Sequence, residues 1–189
     1  MRPALALFLL LISSTVYAAP SPSPAPKPKD VTSVEGLFAQ LKQAESAEDA
    51  HPIEQKLMAM FRASGSPSVD LLIARVQAAL LATDKQTARK LIDAVTTIAP
   101  SYAEGWHIRA GMEHAAGDDT AALVSLQKVV QLNPRHFMAL DELAGMLQEY
   151  GDRAGALKLY RRALELDPHL PNASQKLREL TTSVEGRDI

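Results

Sequence analysis

The sequence predicts an all-α domain built from helical repeats, and the main reason is a fixed spacing of 34 residues. Three segments at that spacing each combine an aspartate, an alanine four residues later and a closing proline. A period of this length is typical of paired helices that stack side by side. The recurring residues are Asp84, Asp118 and Asp152; Ala88, Ala122 and Ala156; and Pro100, Pro134 and Pro168.

The composition of the chain argues against several classes of function. The chain has 189 residues, 47% hydrophobic and 22% charged, with a net charge of −2. That charge argues against non-specific nucleic-acid binding, which needs a clustered basic surface. There is no cysteine, so disulfides, thiol catalysis and zinc–thiolate sites are excluded.

The N-terminus is typical of a secretory signal peptide. Arg2 supplies positive charge, residues 4–12 are apolar, and cleavage after Ala18 places Val16 and Ala18 at the recognition positions. No later apolar run approaches the ~20 residues that span a bilayer. A cysteine-free secreted chain indicates the bacterial periplasm rather than a eukaryotic ectodomain. We therefore expect export of the chain across the inner membrane and processing after residue 18.

Residues 19–30 read APSPSPAPKPKD. Alternating proline favours an extended polyproline II conformation. This segment is predicted to be a semi-rigid linker between the signal peptide and the folded body.

Residues 31–65 are predicted to form a degenerate helix pair. Thr32 and Glu35 have the spacing of a capping box, and a second helix is expected from about Pro52. Glu54 stands where the repeat would place alanine. We interpret the pair as an N-terminal cap, because a repeat array needs an atypical unit to cover its exposed apolar end.

The repeat domain is predicted over residues 66–182. Ser66 followed by Pro67 marks the first helix start, and Ser101 with Glu104 has capping-box spacing at the start of the second repeat. The predicted segments are repeats at about 69–101, 102–135 and 136–169, a C-terminal capping helix at 172–182 and a tail at 183–189.

The recurring small residues have a geometric explanation. Alanine lets the two helices of a pair approach to about 8–10 Å. Gly117 and Gly151 fall in the turn between helices, where glycine adopts a left-handed conformation without strain. Trp106 occupies the packing position that Leu72 and Leu140 fill in the other repeats.

These residues resemble the tetratricopeptide repeat (TPR) family. The third repeat matches best and the first is weaker, with Thr83 in place of the turn glycine. The pattern also resembles small secreted proteobacterial TPR proteins of unassigned activity. The resemblance implies a right-handed superhelix whose first helices line a concave groove for an extended peptide or a helix of a partner. The matching residues of the third repeat are Leu140, Leu143, Ala144, Gly151, Asp152, Ala156, Tyr160, Ala163 and Pro168; the second keeps Trp106, Ala110, Gly117, Asp118, Ala122 and Pro134.

The resemblance also implies which residues line the groove. The acidic ones, Asp70, Glu104 and Asp141, would favour a basic partner, or they would only complement the dipoles of their helices. The lysine and asparagine pattern with which some TPR proteins hold a carboxylate is missing. The predicted lining residues are Asp70, Ile73, Gln77, Glu104, His107, Gly111, His114, Met138, Asp141, Gly145 and Gln148.

Two residue pairs need separate interpretation. His107 and His114 lie about 10.5 Å apart along one helix, too far for one metal ion with bonds near 2.1 Å. They are ordinary exposed histidines or make the groove respond to pH. Arg75 and Arg109, 34 residues apart, occupy a position that would face the neighbouring helix. We expect each to form a structural ion pair or hydrogen-bonded network, with a functional anion site as the alternative.

The sequence therefore predicts a scaffold or adaptor that binds a protein or peptide, without a cofactor or metal. No catalytic motif is found, so we do not expect an enzyme. The alternative is a self-assembling structural component of the cell envelope. The sequence defines neither the partner nor the oligomeric state.

Overall fold

A computed structural model describes residues 32–186 of the chain. The predicted signal peptide, the linker and residues 187–189 lie outside this range. Within it the chain is entirely helical, which confirms the predicted class, and none of its helices is long and apolar enough to cross a membrane. The helices are α1 (Val34–Leu41), α2 (Ala47–Arg62), α3 (Pro67–Leu81), α4 (Lys85–Ile98), α5 (Ala103–Ala115), α6 (Asp119–Leu132), α7 (Phe137–Glu149), α8 (Arg153–Leu166) and α9 (Ala173–Glu185).

The three repeats are the antiparallel pairs α3–α4, α5–α6 and α7–α8, and α9 packs on α8. Each recurring alanine is completely buried where its pair closes. The turns have left-handed residues at Gly117 (φ +79°), Gly151 (φ +88°) and, unusually, Thr83 (φ +59°). The three recurring aspartates accept a backbone N–H at the start of each second helix. Each recurring proline follows directly on the C-cap of that helix.

The buried side chains form three clusters. The first joins α3 and α4 to the facing side of α5, and the second joins α5 and α6 to α7. The third is the largest; it surrounds Tyr160 between α7, α8 and α9 and includes side chains of α1 and α2. Each inter-repeat cluster is therefore a junction between one repeat and the next.

The α1–α2 hairpin does not cap the first repeat, contrary to the expectation from its position in the sequence. It lies across the loops that join successive repeats. The Tyr102 hydroxyl donates to the carbonyl of Arg62 at 2.7 Å, Arg135 pairs with Glu35 at 3.3 Å, and a ring nitrogen of His169 lies 2.9 Å from a carbonyl of the α1–α2 loop. One hairpin thus contacts both inter-repeat loops and the loop that joins α8 to α9.

Aromatic packing explains this position. Phe38 of α1 meets Phe137 edge to face, with ring centroids 6.3 Å apart. Phe61 of α2 lies 5.2 Å from the ring of His136, and the Arg135 guanidinium lies 4.0 Å from the centroid of Phe38. The apolar faces of α1 and α2 therefore complete the core of the third repeat, although the first repeat is nearer to them in sequence.

Several predicted boundaries differ from the structure. Helix α2 begins at Ala47 because the Ser46 side chain caps it, so Pro52 lies inside the helix. The cap of α1 is Ser33, one residue after the predicted Thr32. Helix α9 continues to Glu185, so the first part of the predicted tail is helical.

Candidate functional site: an inner face with three cavities

Helices α3, α5, α7 and α9 line one face of the array, and three cavities follow one another along it. The first lies between α3 and α5 and has a volume of about 430 Å³. Its wall is apolar and its rim carries two cations, Lys85 and Arg89, from the start of α4. Its other lining residues are Leu80, Ile108, Gly111, Met112, Ala115 and Ala116.

The next two cavities occupy equivalent places between later helices. The second, about 330 Å³, is bounded by α5 and α7 and includes His114, Glu142 and Glu149. The third, about 300 Å³, is bounded by α7 and α9 and includes Arg153 and Lys176 beside Tyr160.

Two glycines connect the cavities. Gly111 lines both the first and the second, and Gly145 lines both the second and the third. A Cβ atom built on Gly111 would have no neighbour within 4 Å, and one on Gly145 would meet only the Tyr160 hydroxyl, at 3.6 Å. A glycine therefore lies at each boundary between adjacent cavities, with Glu149 also shared by the second and third, and the three cavities form one continuous groove.

The structure distributes the predicted lining residues unevenly. Gly111, His114, Gly145 and Gln148 line the cavities. The remaining predicted residues lie elsewhere: Asp70, Gln77 and Met138 are exposed, Ile73 and Asp141 are half-buried, and Glu104 and His107 belong to a buried network. For Glu104 the prediction is wrong in one respect, because its buried carboxylate cannot meet a partner.

Sequence reasoning missed the charged residues of the groove. It placed the lining only on the first helix of each repeat, whereas Lys85 and Arg89 come from a second helix. It also missed one recurring position, occupied by Ile108, Glu142 and Lys176 in successive cavities. These three residues are 34 apart, so extending the repeat period to every position would have found them.

Beneath the second cavity, a buried charge network links α5 to α7. The Glu104 carboxylate lies 3.1 Å from Nε2 of His136 and 3.4 Å from Nδ1 of His107. The Nε2 atom of His107 lies 2.9 Å from Glu142. Glu104 therefore serves two histidines of different repeats instead of capping α5, whose N-terminus has no side-chain cap.

The pKa values of this network move in opposite directions. Burial alone would raise the pKa of Glu104, but hydrogen bonds from His107 and His136 outweigh it and lower the pKa to about 2. Burial likewise disfavours a charged His107, yet hydrogen bonds to Glu104 and Glu142 raise its pKa to about 9. At neutral pH His107 is thus an imidazolium between two carboxylates.

The same residues must be tested as metal ligands. Glu104, His107 and His136 each offer a ligand atom within 4.8 Å of the others. However, Nδ1 of His136 accepts the Ala139 N–H at the start of α7, so its proton sits on Nε2 and is donated to Glu104. A metal-bound histidine instead donates its second N–H to an acceptor. The arrangement fits a hydrogen-bonded network and opposes metal ligation.

His114 and Arg109 have separate partners. Nδ1 of His114 lies 2.7 Å from Asp119 at the surface, apart from His107. Nε of Arg109 donates to the buried Glu113 at 2.8 Å, and the Ser125 hydroxyl donates to the same carboxylate at 2.6 Å. The ion pair expected for Arg109 is therefore present.

The equivalent Arg75 differs. It is exposed on α3, and Ala79 stands where α5 has Glu113. The expected structural ion pair thus lacks its carboxylate on that helix.

Comparison with known proteins supports the repeat assignment. No family model matches the chain. A TPR repeat-containing protein of Rhizobium etli is 27% identical over 150 residues, which cover 79% of this chain and 74% of the relative.

Solved structures share the fold at low sequence identity. The Sgt2 TPR domain of Aspergillus fumigatus aligns with a TM-score of 0.54 at 20% identity, over 64% of this chain and 81% of that one. The first TPR domain of Spaghetti (RPAP3), bound to the HSP90 peptide SRMEEVD, gives 0.55 at 18% identity, over 62% and 93%. MamA gives 0.56 at 15% identity, over 80% of both chains. With the repeat pattern and the helix pairs described above, these similarities show that the chain has the fold of tetratricopeptide-repeat domains.

Proposed function

We propose that this TPR protein is an interaction scaffold that binds an extended segment of a partner protein along the three cavities. The observation that carries the proposal is the continuity of the groove at Gly111 and Gly145. Because glycine has no side chain, the backbone of a bound segment can approach the helices closely at both ridges. The role is binding, without catalysis. The HSP90 peptide held by the similar RPAP3 domain supports a polypeptide ligand.

The groove also suggests the chemistry of the partner. The first cavity suits an apolar side chain with an acidic neighbour, because its apolar wall carries Lys85 and Arg89 at the rim. The second suits a lysine or arginine, because Glu142 and Glu149 line it. We therefore propose that the bound segment of the partner carries both acidic and basic residues. This replaces the basic partner expected from Asp70, Glu104 and Asp141.

Site-specific cross-linking tests this function. A photoreactive residue replacing Gln148, at the third cavity, should capture a distinct partner in living cells. The matched control is the same residue replacing Val124, which is 60% exposed on α6 outside the three cavities. Capture of one identified protein from Gln148 and not from Val124 supports the proposal. Equal capture from both positions would place recognition outside the groove.

We also propose that the protein acts in the bacterial periplasm, on the basis of the signal-peptide pattern and the absence of cysteine. Cell fractionation and intact mass measurement test this. The expected product is a periplasmic chain that begins at Ala19; a full-length cytoplasmic chain would contradict it.

A further inference from the structure

Among residues 32–186, nothing covers one face of α3, because the α1–α2 hairpin packs elsewhere. Leu71 is 61% exposed and Leu81 is 89% exposed. Between them on the same side of the helix lie Ala74 and Ala78, which are also exposed. A strip of apolar residues therefore runs from Leu71 to the end of α3.

The equivalent residues of the later repeats indicate the role of this strip. Thirty-four residues on, Leu71, Ala74, Ala78 and Leu81 correspond to Gly105, Ile108, Met112 and Ala115 of α5. Ile108 and Met112 pack into the core of the preceding repeat. In α7 the equivalent Ala139 and Met146 are buried in the same way. The exposed strip of α3 is thus a helix-packing surface that no preceding repeat covers in the part of the chain that the structure describes.

The side chains of the strip are symmetrically arranged. It reads leucine, alanine, alanine, leucine, and its middle lies at Val76. When two α3 helices cross antiparallel at that point, each Leu71 faces the other copy's Leu81, and each Ala74 faces the other copy's Ala78. Small residues at the centre let the helix axes approach. The pattern is self-complementary, as a two-fold interface requires.

We propose that two copies of this chain associate through an antiparallel pair of α3 helices. End-to-end stacking in the repeat geometry is disfavoured, because the α8 face that would receive a following α3 is already covered by α9. The strip lies on the side of α3 away from α5, so the dimer leaves the three cavities open. The inference is therefore independent of the proposed peptide binding.

Arg75 gives the interface a salt dependence. In the antiparallel pair the two Arg75 side chains lie on one edge, on either side of the two-fold axis. Salt screens like charges, so the dimer should strengthen as salt is raised. A dimer that weakens with salt would contradict this arrangement.

Sedimentation of the processed chain over a range of concentrations tests the proposal. We expect a monomer–dimer equilibrium that shifts to monomer in Leu81→Glu, while Val124→Glu, which changes another exposed apolar residue, on α6, remains dimeric. Circular dichroism checks that both variants fold. A parent that is monomeric throughout, or a Leu81→Glu variant that stays dimeric, would overturn the proposal.

Disulfide trapping tests the orientation, since every disulfide must come from an introduced cysteine. Disulfides need Cα atoms about 4.4–6.8 Å apart. A mixture of Ala74→Cys and Ala78→Cys chains should therefore form the mixed dimer in preference to either homodimer, and Val124→Cys should form none. Preference for the two homodimers would indicate parallel helices and overturn the antiparallel interface.

Discussion

Glu104 and His136 meet across 3.1 Å at the junction between the second and third repeats. Both residues are buried: the side chain of Glu104 is 8% exposed and that of His136 is 0% exposed. His136 uses its other ring nitrogen to cap α7, and Phe61 of the α1–α2 hairpin packs beside its ring. One contact therefore ties together two repeats, a helix start and the hairpin.

This network should give stability a pH optimum. The pKa of Glu104 is lowered from 4.5 to about 2, so its contribution is complete above pH 4.5 and disappears as the pH falls through 2. The pKa of His107 is raised from 6.5 to about 9, so its contribution is complete below pH 6.5 and is lost as the pH rises through 9. Both are complete between pH 4.5 and 6.5.

Urea denaturation at a series of pH values measures this effect. From pH 6.5 to 9 the free energy of unfolding should fall by roughly 2 kcal/mol. His107→Gln should be less stable at pH 6 and lose most of that decline. An unchanged slope in His107→Gln would show that another group titrates.

Arg109 and Arg75 form a matched pair for mutation. Arg109→Met should cost roughly 3 kcal/mol, because it leaves the Glu113 carboxylate, only 1% exposed, without its closest cation. Arg75→Met should change the free energy of unfolding of the monomer by less than about 0.5 kcal/mol, because Arg75 is exposed. Equal costs for the two variants, measured under monomeric conditions, would contradict the asymmetry.

Thr83 is strained in a turn that the other repeats build with glycine. Its φ is +59°, against +79° and +88° for Gly117 and Gly151, and a β-branched residue is unfavourable there. Thr83→Gly should raise the free energy of unfolding by about 1 kcal/mol, and Gly117→Thr should lower it by at least as much. Thermal unfolding of both variants measures this, and a destabilised Thr83→Gly protein would refute it.

The position of the α1–α2 hairpin predicts which helices lose stability when its packing is weakened. Phe38→Ala should destabilise the protein by about 3 kcal/mol, because Phe38 is buried against Phe61 and Phe137. Hydrogen exchange should accelerate in α7 and α8, whose core the hairpin completes, more than in α3 and α4. Faster exchange chiefly in α3 and α4 would instead support a cap on the first repeat.

The repeats were predictable from sequence and the hairpin position was not. The 34-residue period identified every pair from α3 to α8, because each pair needs the same small residues, turn and helix stop. The position of α1 and α2 depends on contacts such as Phe38 with Phe137, 99 residues apart. The amphipathic pattern of a helix indicates that one of its faces is buried, but it does not indicate which other helix that face contacts.

The site shows the same limit. Spacing along one helix correctly separated His107 from His114, but it could not reveal that Glu104, His107 and His136 converge from two repeats. The capping-box spacing at Ser101 and Glu104 was misleading. The Glu104 carboxylate is stabilised more by hydrogen bonds with two buried histidine rings than it would be by a backbone N–H at the start of a helix. Tertiary contacts decided the role of Glu104.

The most direct test of the central claim is the affinity of the cross-linked partner, once identified and purified, for two variants of Gly111. Gly111→Ala leaves both adjoining cavities open, since nothing lies within 4 Å of a Cβ at this position. Gly111→Phe places an aromatic ring in the groove, and circular dichroism checks that both variants fold. Calorimetry should give near-parental affinity for Gly111→Ala and at least about a tenfold loss for Gly111→Phe. Equal affinity for both variants would contradict binding along the groove.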